Sequence, residues 1–284
     1  MPEKVAIVTG ASSGFGLLTS IELAKSGFRV AATMRDLSRR ARLDEAVAAA
    51  RVTAAVDVRE LDVTKFQSIP TFVDAVVRDY GGRVDVLVNN AGFAVAGFAE
   101  DIKLDELRFQ FETNFFGAVA MTKAVLPAMR QQRSGHIIQI SSIGGLNGSV
   151  TVSSYSASKH ALEGWSESLR LEVNALGIKV VLVEPGAFET GIWTRGAVMG
   201  EQATKPTSLN RQRSLRMRDR VQKIPKADPI AVARLIARIA QDPAPKLRYM
   251  VGRDAQIQLA MKRILPWKWY EKIVANFLKL EQED

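Results

Sequence analysis

The sequence predicts an α/β protein built on one doubly wound parallel sheet, and three observations predict it. Seven apolar runs of strand length, "KVAIVTG", "FRVAATM", "AAVDVRELDV", "VDVLVNNAG", "HIIQISS", "IKVVLVEPG" and "RYMVG", alternate with longer segments at helical spacing. The runs are nearly continuous in Val, Ile and Leu, the pattern of parallel strands covered by helices on both faces. No repeat, low-complexity tract or Pro/Gly/Ser linker divides the chain, so residues 1–284 read as a single domain. A hydrophobic content of 47% supports a sizeable core.

Taken in order, the first strand runs into a turn with glycines at 10, 14 and 16, and then into an amphipathic helix that closes at Gly27. The second strand spans Arg29 to Met34, and the third and fourth follow with helical stretches between them. "TNFFGAVAMTKAVLPAM" reads as a long helix, "GHIIQISSIGG" as a strand entering a glycine turn, and "YSASKHAL" as the start of the next helix. After the sixth strand, residues 187–226 form one long insertion, expected to act as a mobile, solvated substrate lid. A helix at about 228–240, a last strand and a helical extension over 254–284 complete the chain. Right-handed crossovers fix the winding.

Composition narrows the function classes. There are no cysteines, so disulfides and thiolate metal sites are excluded, and with only His136 and His160 a zinc constellation of the usual kind has no ligands. The chain shows neither a secretory signal nor an apolar run of membrane-spanning length, and is expected to be soluble and intracellular, in the cytoplasm. Its net charge of +9 is concentrated: nine basic residues face two acidic ones between Arg195 and Lys226. Such a patch suits an acidic partner as well as a solvated lid, but without interleaved aromatics it does not read as a nucleic-acid surface.

The glycine turn carries the first functional signal. Glycine lets backbone approach a phosphate, and a helix N-terminus offers unpaired N–H groups and a favourable dipole. The spacing Gly-x-x-x-Gly-x-Gly fits neither Gly-x-Gly-x-x-Gly nor a P-loop. On Thr9, Gly10, Gly14 and Gly16 the chain resembles the short-chain dehydrogenase/reductase family, whose Thr-Gly-x-x-x-Gly-x-Gly signature they match. The resemblance implies a Rossmann-type fold with strand order 3-2-1-4-5-6-7. It also implies a nicotinamide dinucleotide held by this turn, including Ser12, Ser13 and Phe15. Further cofactor contacts are implied at Asp62 and Val63 for the adenine, and at Asn90, Ala91 and Gly92 of an Asn-Asn-Ala-Gly motif. Beyond the second strand, Arg35 suits the 2′-phosphate of NADP(H), whereas Asp36 would take the ribose of NAD(H) if the strand ended one residue later.

The second signal is Tyr155 and Lys159, which share a helix face at i and i+4. A phenol of pKa roughly 10 becomes a usable acid–base group when a nearby ammonium stabilises its phenolate. Ser142 lies at the carboxyl end of a strand, where open α/β sheets place ligands, and Ser141 should point to the opposite face. Resemblance to the family extends to Ser142, thirteen residues before Tyr155, as the serine that binds the substrate oxygen. It extends also to Asn114 with Gly117, where the asparagine holds a water feeding a proton relay. Pro185, Gly186 and Thr190 match the turn that meets the nicotinamide, and Tyr155 and Lys159 themselves contact the cofactor in that family.

These readings predict hydride transfer between NADP(H) and a carbonyl or alcohol carbon, with Tyr155 moving the proton. Phe93, Val95, Leu146, Val150, Phe188 and Trp193 are candidates to line an apolar substrate pocket. The insertion resembles that of the hydroxysteroid and retinol dehydrogenase branch, which implies a steroid-like, retinoid-like or aryl ketone substrate. A 3-oxoacyl thioester reductase is the alternative the basic segment suggests, and a nucleotide-sensing nucleic-acid binder the alternative of another class. The stretch "ILPWKWYEKIVANFLKL" reads as an amphipathic helix expected to pack on its own domain or a second subunit, with peripheral membrane contact as the rival. A homodimer or homotetramer is implied by the resemblance.

Overall fold

A computed structural model describes residues 3–190 and 197–278. All seven expected runs are strands: β1 (Lys4–Val8), β2 (Phe28–Met34), β3 (Val56–Glu60), β4 (Val86–Asn89), β6 (Gly135–Ile140), β7 (Ile178–Pro185) and β9 (Arg248–Val251). They form one parallel sheet in the order β3-β2-β1-β4-β6-β7-β9, which is the expected order of the main strands. Two further strands, β5 (Ala94–Ala96) and β8 (Ala197–Met199), pair in parallel as a separate ribbon that the sequence reading did not include.

The sheet is buried on both faces, as its composition requires. In β1, Ala6 and Val8 enter one core layer, and Val5 and Ile7 enter the other. The first layer packs under α1 (Gly14–Lys25), α2 (Ala41–Ala49) and α8 (Ile230–Ile239), through Leu23, Leu43 and Ile236. The second packs under α3 (Ile69–Asp79), α5 (Gly117–Gln132) and α6 (Ser153–Val173), through Val73, Met121 and Leu169. Strand order reverses between β1 and β4, so their carboxyl ends open a crevice at the topological switch point.

Much of the long insertion is folded. Strand β8 adds to β5, and helix α7 (Arg211–Lys223) buries Ser214 and Met217. Ser208 Oγ donates to Asp101 at 2.8 Å, Asn210 to Glu100, and Lys103 pairs with Glu201. Helix α4 (Leu104–Phe111) precedes a single π-helical turn, Glu112–Phe116, that leads into α5. At the C-terminus, α9 (Arg253–Ile264) and α10 (Trp267–Leu278) form the expected helical extension.

Candidate active site

The glycine turn is shaped by contacts that no side chain could share. Gly10 and Gly14 take left-handed φ values of +69° and +58°, and a Cβ on Gly10 would stand 2.9 Å from Ala91 Cα. A Cβ on Gly16 would collide with the Asn90 amide and the Gly10 carbonyl oxygen. Asn90 Nδ2 donates to the carbonyls of Thr9 (2.8 Å) and Gly10 (3.1 Å), while Thr9 Oγ1 accepts from the amides of Asn90 and Ala91 at 2.9 and 3.0 Å. The Thr-Gly and Asn-Asn-Ala-Gly motifs are thus one unit that bridges β1 and β4.

Ser13 stands at the N-cap of α1 without a side-chain cap bond, and the first turn holds no acidic residue. Uncapped amides at a helix start beside close glycine backbone fit the pyrophosphate of a dinucleotide. Thr190 completes this end: its Cβ lies 3.5 Å from where a Gly14 Cβ would be. The turn that carries it is set by Asp254 Oδ2, which accepts from Ala187 N at 2.7 Å and leaves no room for a Cβ on Gly186. Asp254 carried no signal in the sequence.

Strand β2 ends at Met34, leaving Arg35 exposed just beyond it. Asp36 is committed locally: its Oδ1 accepts from Ser38 N at 2.9 Å and Ser38 Oγ at 2.6 Å, and these bonds hold its carboxyl below the usual range. Asp62 likewise closes its own turn, accepting from Thr64 N at 3.0 Å and Thr64 Oγ1 at 2.7 Å. The adjacent Val63 is buried, 2.9 Å from where a Cβ on Gly117 would sit, so the Asn-x-x-Gly glycine lets α5 approach this loop.

At the other end of the crevice, the structure brings Ser142, Tyr155 and Lys159 together. Ser142 Oγ accepts from Gly144 N at 3.0 Å and is hydrogen-bonded to the buried Tyr155 hydroxyl. The glycine turn folds over the phenol, with a Gly144 Cβ position 3.1 Å from Tyr155 Cε1. Ser141 Oγ instead lies on the Glu163 side, 2.7 Å from a Gly145 Cβ position that also meets Glu163. Lys159 Nζ donates to Ile140 O at 2.7 Å, fixing α6 to the end of β6, and sits 5.8 Å from the Tyr155 ring centroid.

The electrostatics differ in one respect from expectation. Burial pushes the Tyr155 phenol up, with only the Ser142 hydrogen bond opposing it, so the expected lowering by Lys159 is not what this geometry produces. Lys159 is itself driven down to about 8 by burial, and Glu163, one turn further along α6, pulls it back up. It still carries its charge at neutral pH. A buried cation held by one carbonyl is a group poised to favour negative charge on a nearby oxygen.

Asn114 is engaged by protein partners on two sides. The π-helical turn directs its side chain inward, where Oδ1 accepts from Phe93 N and Nδ2 donates to Phe93 O, each at 3.0 Å, and to Ser158 Oγ at 3.1 Å. Both amide hydrogens are used. The side chain is a clamp between the segment after β4 and α6, and Gly92 packs against it.

The apolar wall beside Tyr155 consists of Ala94 and Val152, with Ala96 against them. Strand alternation directs Val95 away from them, and Phe93 packs on Phe109 at 5.3 Å, so these two candidates are displaced by one residue from the wall itself. Phe188 belongs to the main core, edge-on to Phe15 at 5.7 Å, and is corrected from a substrate contact to a packing residue. Leu146 and Val150 lie half-buried on the loop after Ser142, and Trp193 lies outside the described residues. Thr151, which the sequence did not flag, takes a left-handed φ of 64° and accepts from Gly97 N at 2.8 Å, fastening this loop to β5. His136 and His160 bond the carbonyls of Asp242 and Ser156, each at 2.8 Å, away from the chemistry.

Comparison with known proteins identifies the family. Residues 4–197 match the short chain dehydrogenase family model. Retinol dehydrogenase 8 of Bos taurus is 35% identical over 273 residues, 93% of this chain and 86% of that protein. A short-chain dehydrogenase structure from Streptomyces avermitilis superposes with a TM-score of 0.81 at 36% identity, covering 99% of this chain and all of the other. A metagenomic short-chain oxidoreductase in complex with NADP gives a TM-score of 0.69 at 27% identity over 87% of this chain and 96% of its own. From the matched motifs, the sheet order and these relatives, the chain belongs to the short-chain dehydrogenase family of oxidoreductases, which use a nicotinamide dinucleotide.

Proposed function

We propose that the protein is an NADP(H)-dependent oxidoreductase that interconverts a carbonyl and an alcohol on a lipophilic substrate. The observation that carries this reading is the Ser142–Tyr155–Lys159 cluster set against the Ala94–Val152 wall at the carboxyl edge of the sheet. The dinucleotide supplies the hydride in reduction and accepts it in oxidation. In reduction, Tyr155 Oη gives its proton to the carbonyl oxygen as the carbon receives the hydride. Ser142 Oγ orients that oxygen, and Lys159, bonded to Ile140 O, holds α6 and its Tyr155 at the end of β6. Oxidation runs the same transfers in reverse.

Arg35, exposed at the end of β2, supports NADP(H), since a guanidinium pairs with a 2′-phosphate, and Asp36 is held by Ser38. The small apolar wall and the likeness to a retinol dehydrogenase support a retinoid-like, steroid-like or aryl substrate. The test is NADPH and NADH oxidation across retinoid, steroid, aryl-ketone and acyl-thioester substrates. Turnover of a lipophilic ketone with NADPH supports the reading, and a clear preference for the acyl thioester replaces the substrate class. Tyr155→Phe should bind NADPH as the parent does and lose about 10²- to 10⁴-fold in turnover. An active, folded Tyr155→Phe protein overturns the mechanism.

A further inference from the structure

Six of the twelve large apolar side chains exposed among the described residues lie between 257 and 277, on α9 and α10. Helix α10 packs by one row only. Tyr270 is buried, and its hydroxyl accepts from Asn147 Nδ2 at 2.7 Å; Val274 and Leu278 follow it at i+4 and i+8. Beside that row runs a second at the same spacing, Trp269, Ile273 and Phe277, with exposures of 67, 40 and 73%. Lys268 and Lys272 are exposed along its outer margin. The expected packing of this helix on its own domain therefore accounts for half of its apolar arc.

The far end of the second row meets the basic insertion. Phe277 and Leu278 line a groove of about 300 Å³ with Arg220, Val221, Lys223 and Ile224 from the end of α7, and Arg220 donates to Leu278 O. Arg213, Arg216 and Arg218 are exposed on the same helix, Arg213 lying over the Phe98 ring at 4.5 Å and Arg218 pairing with Asp219. The concentrated charge and the uncovered apolar row form one continuous platform.

We propose that this platform docks on the surface of an anionic phospholipid bilayer. In that pose Trp269, Ile273 and Phe277 enter the acyl boundary, and Lys268, Lys272 and the α7 cations lie among the headgroups. Charge selects this occupant over a second copy of the chain. A two-fold contact through the same face would set one cationic rim against another, whereas an anionic surface complements both. Among the described residues no helix is long and apolar enough to cross a membrane, so contact is by lying on it.

The platform is tied to the active-site loop by Tyr270 on Asn147 and by Lys262 Nζ donating to Leu146 O at 2.6 Å. A lipid-dissolved substrate would thus leave the bilayer beside the loop that follows Ser142. That step rests on the proposed oxidoreduction, but the docking does not.

The full chain is co-sedimented with vesicles of phosphatidylcholine alone and of phosphatidylcholine with phosphatidylglycerol. We expect binding to the anionic vesicles, weakened roughly tenfold or more by Trp269→Glu with Phe277→Glu, and weakened by about 150 mM salt. Circular dichroism and NADPH turnover of a water-soluble ketone report whether the variants fold, and Trp269→Ser replaces the double variant should it fail. Absence of binding to anionic vesicles overturns the proposal. A concentration-dependent dimer that Trp269→Glu converts to monomer, without vesicle binding, overturns it in favour of a second copy.

Discussion

At the scale of single residues the site is governed by burial. Lys159 sits near 8 because it is desolvated, and Glu163 is the charge that keeps it from falling further. If its ammonium is needed by Tyr155, kcat/KM should decline above about pH 8, as Lys159 loses its proton. Glu163→Gln should move that limb to lower pH, and a pH–rate profile of both proteins checks the direction. Arg35→Ala should weaken NADPH by roughly 10- to 100-fold, the loss of about 1.5–3 kcal/mol from charge-assisted hydrogen bonds, and leave NADH nearly unchanged. Paired titrations of the two cofactors measure this. The motif residues were legible because their types are rare in their patterns, as with the phenol and ammonium four apart. The pocket wall was not: Phe93 and Val95 are the apolar residues the sequence offers there, whereas the pleat presents the small Ala94 and Ala96 to Tyr155. Nothing in a three-residue strand announces which face is inward.

At the scale of elements, backbone approach decides more than propensity. Gly16→Ala would drive a Cβ into the Gly10 carbonyl and the Asn90 amide, and should abolish dinucleotide binding even if the sheet still forms. Fluorescence titration with NADPH, alongside circular dichroism, separates these outcomes. Gly117→Ala meets Val63 at 2.9 Å and should cost about 1–3 kcal/mol as overpacking, read as a lowered Tm. The π-helical turn at Glu112–Phe116 was invisible in the sequence, because one extra residue in a helix leaves the surrounding periodicity nearly intact. Its effect is the inward Asn114 clamp. The insertion shows the opposite balance. Its charge suggests a solvated lid, and within it three residues pair with β5 while Ser214 and Met217 are buried.

At the scale of the molecule, the seven strands and their order were legible because parallel sheets buried on both faces leave unbroken apolar runs, and right-handed crossovers leave few ways to connect them. Long-range polar ties were not legible, and one of them sets a pH response. Arg248 on β9 is shared by Glu163, Glu184 and Glu167, two of them fully buried. Burial pushes Glu184 up to about 7, with the Glu163 charge adding and Arg248 opposing. The folded protein therefore holds this proton more tightly than the unfolded chain, whose glutamates ionise near 4.5. The stability it contributes is full below that value and is lost as pH rises through about 7. Thermal unfolding between pH 5 and 8 should show that decline, and Glu184→Gln should flatten it.

The turn that carries Thr190 lies against Gly14, so the two ends of the phosphate cradle are translated far apart in time. A nascent chain released from the ribosome tunnel as far as α6 already holds Ser142, Tyr155 and Lys159, yet β7 has still to arrive beside β6. Assembly of the contact between Gly14 and Thr190 is consequently a late event in biosynthesis, and a message truncated before that turn yields Ser142, Tyr155 and Lys159 without it.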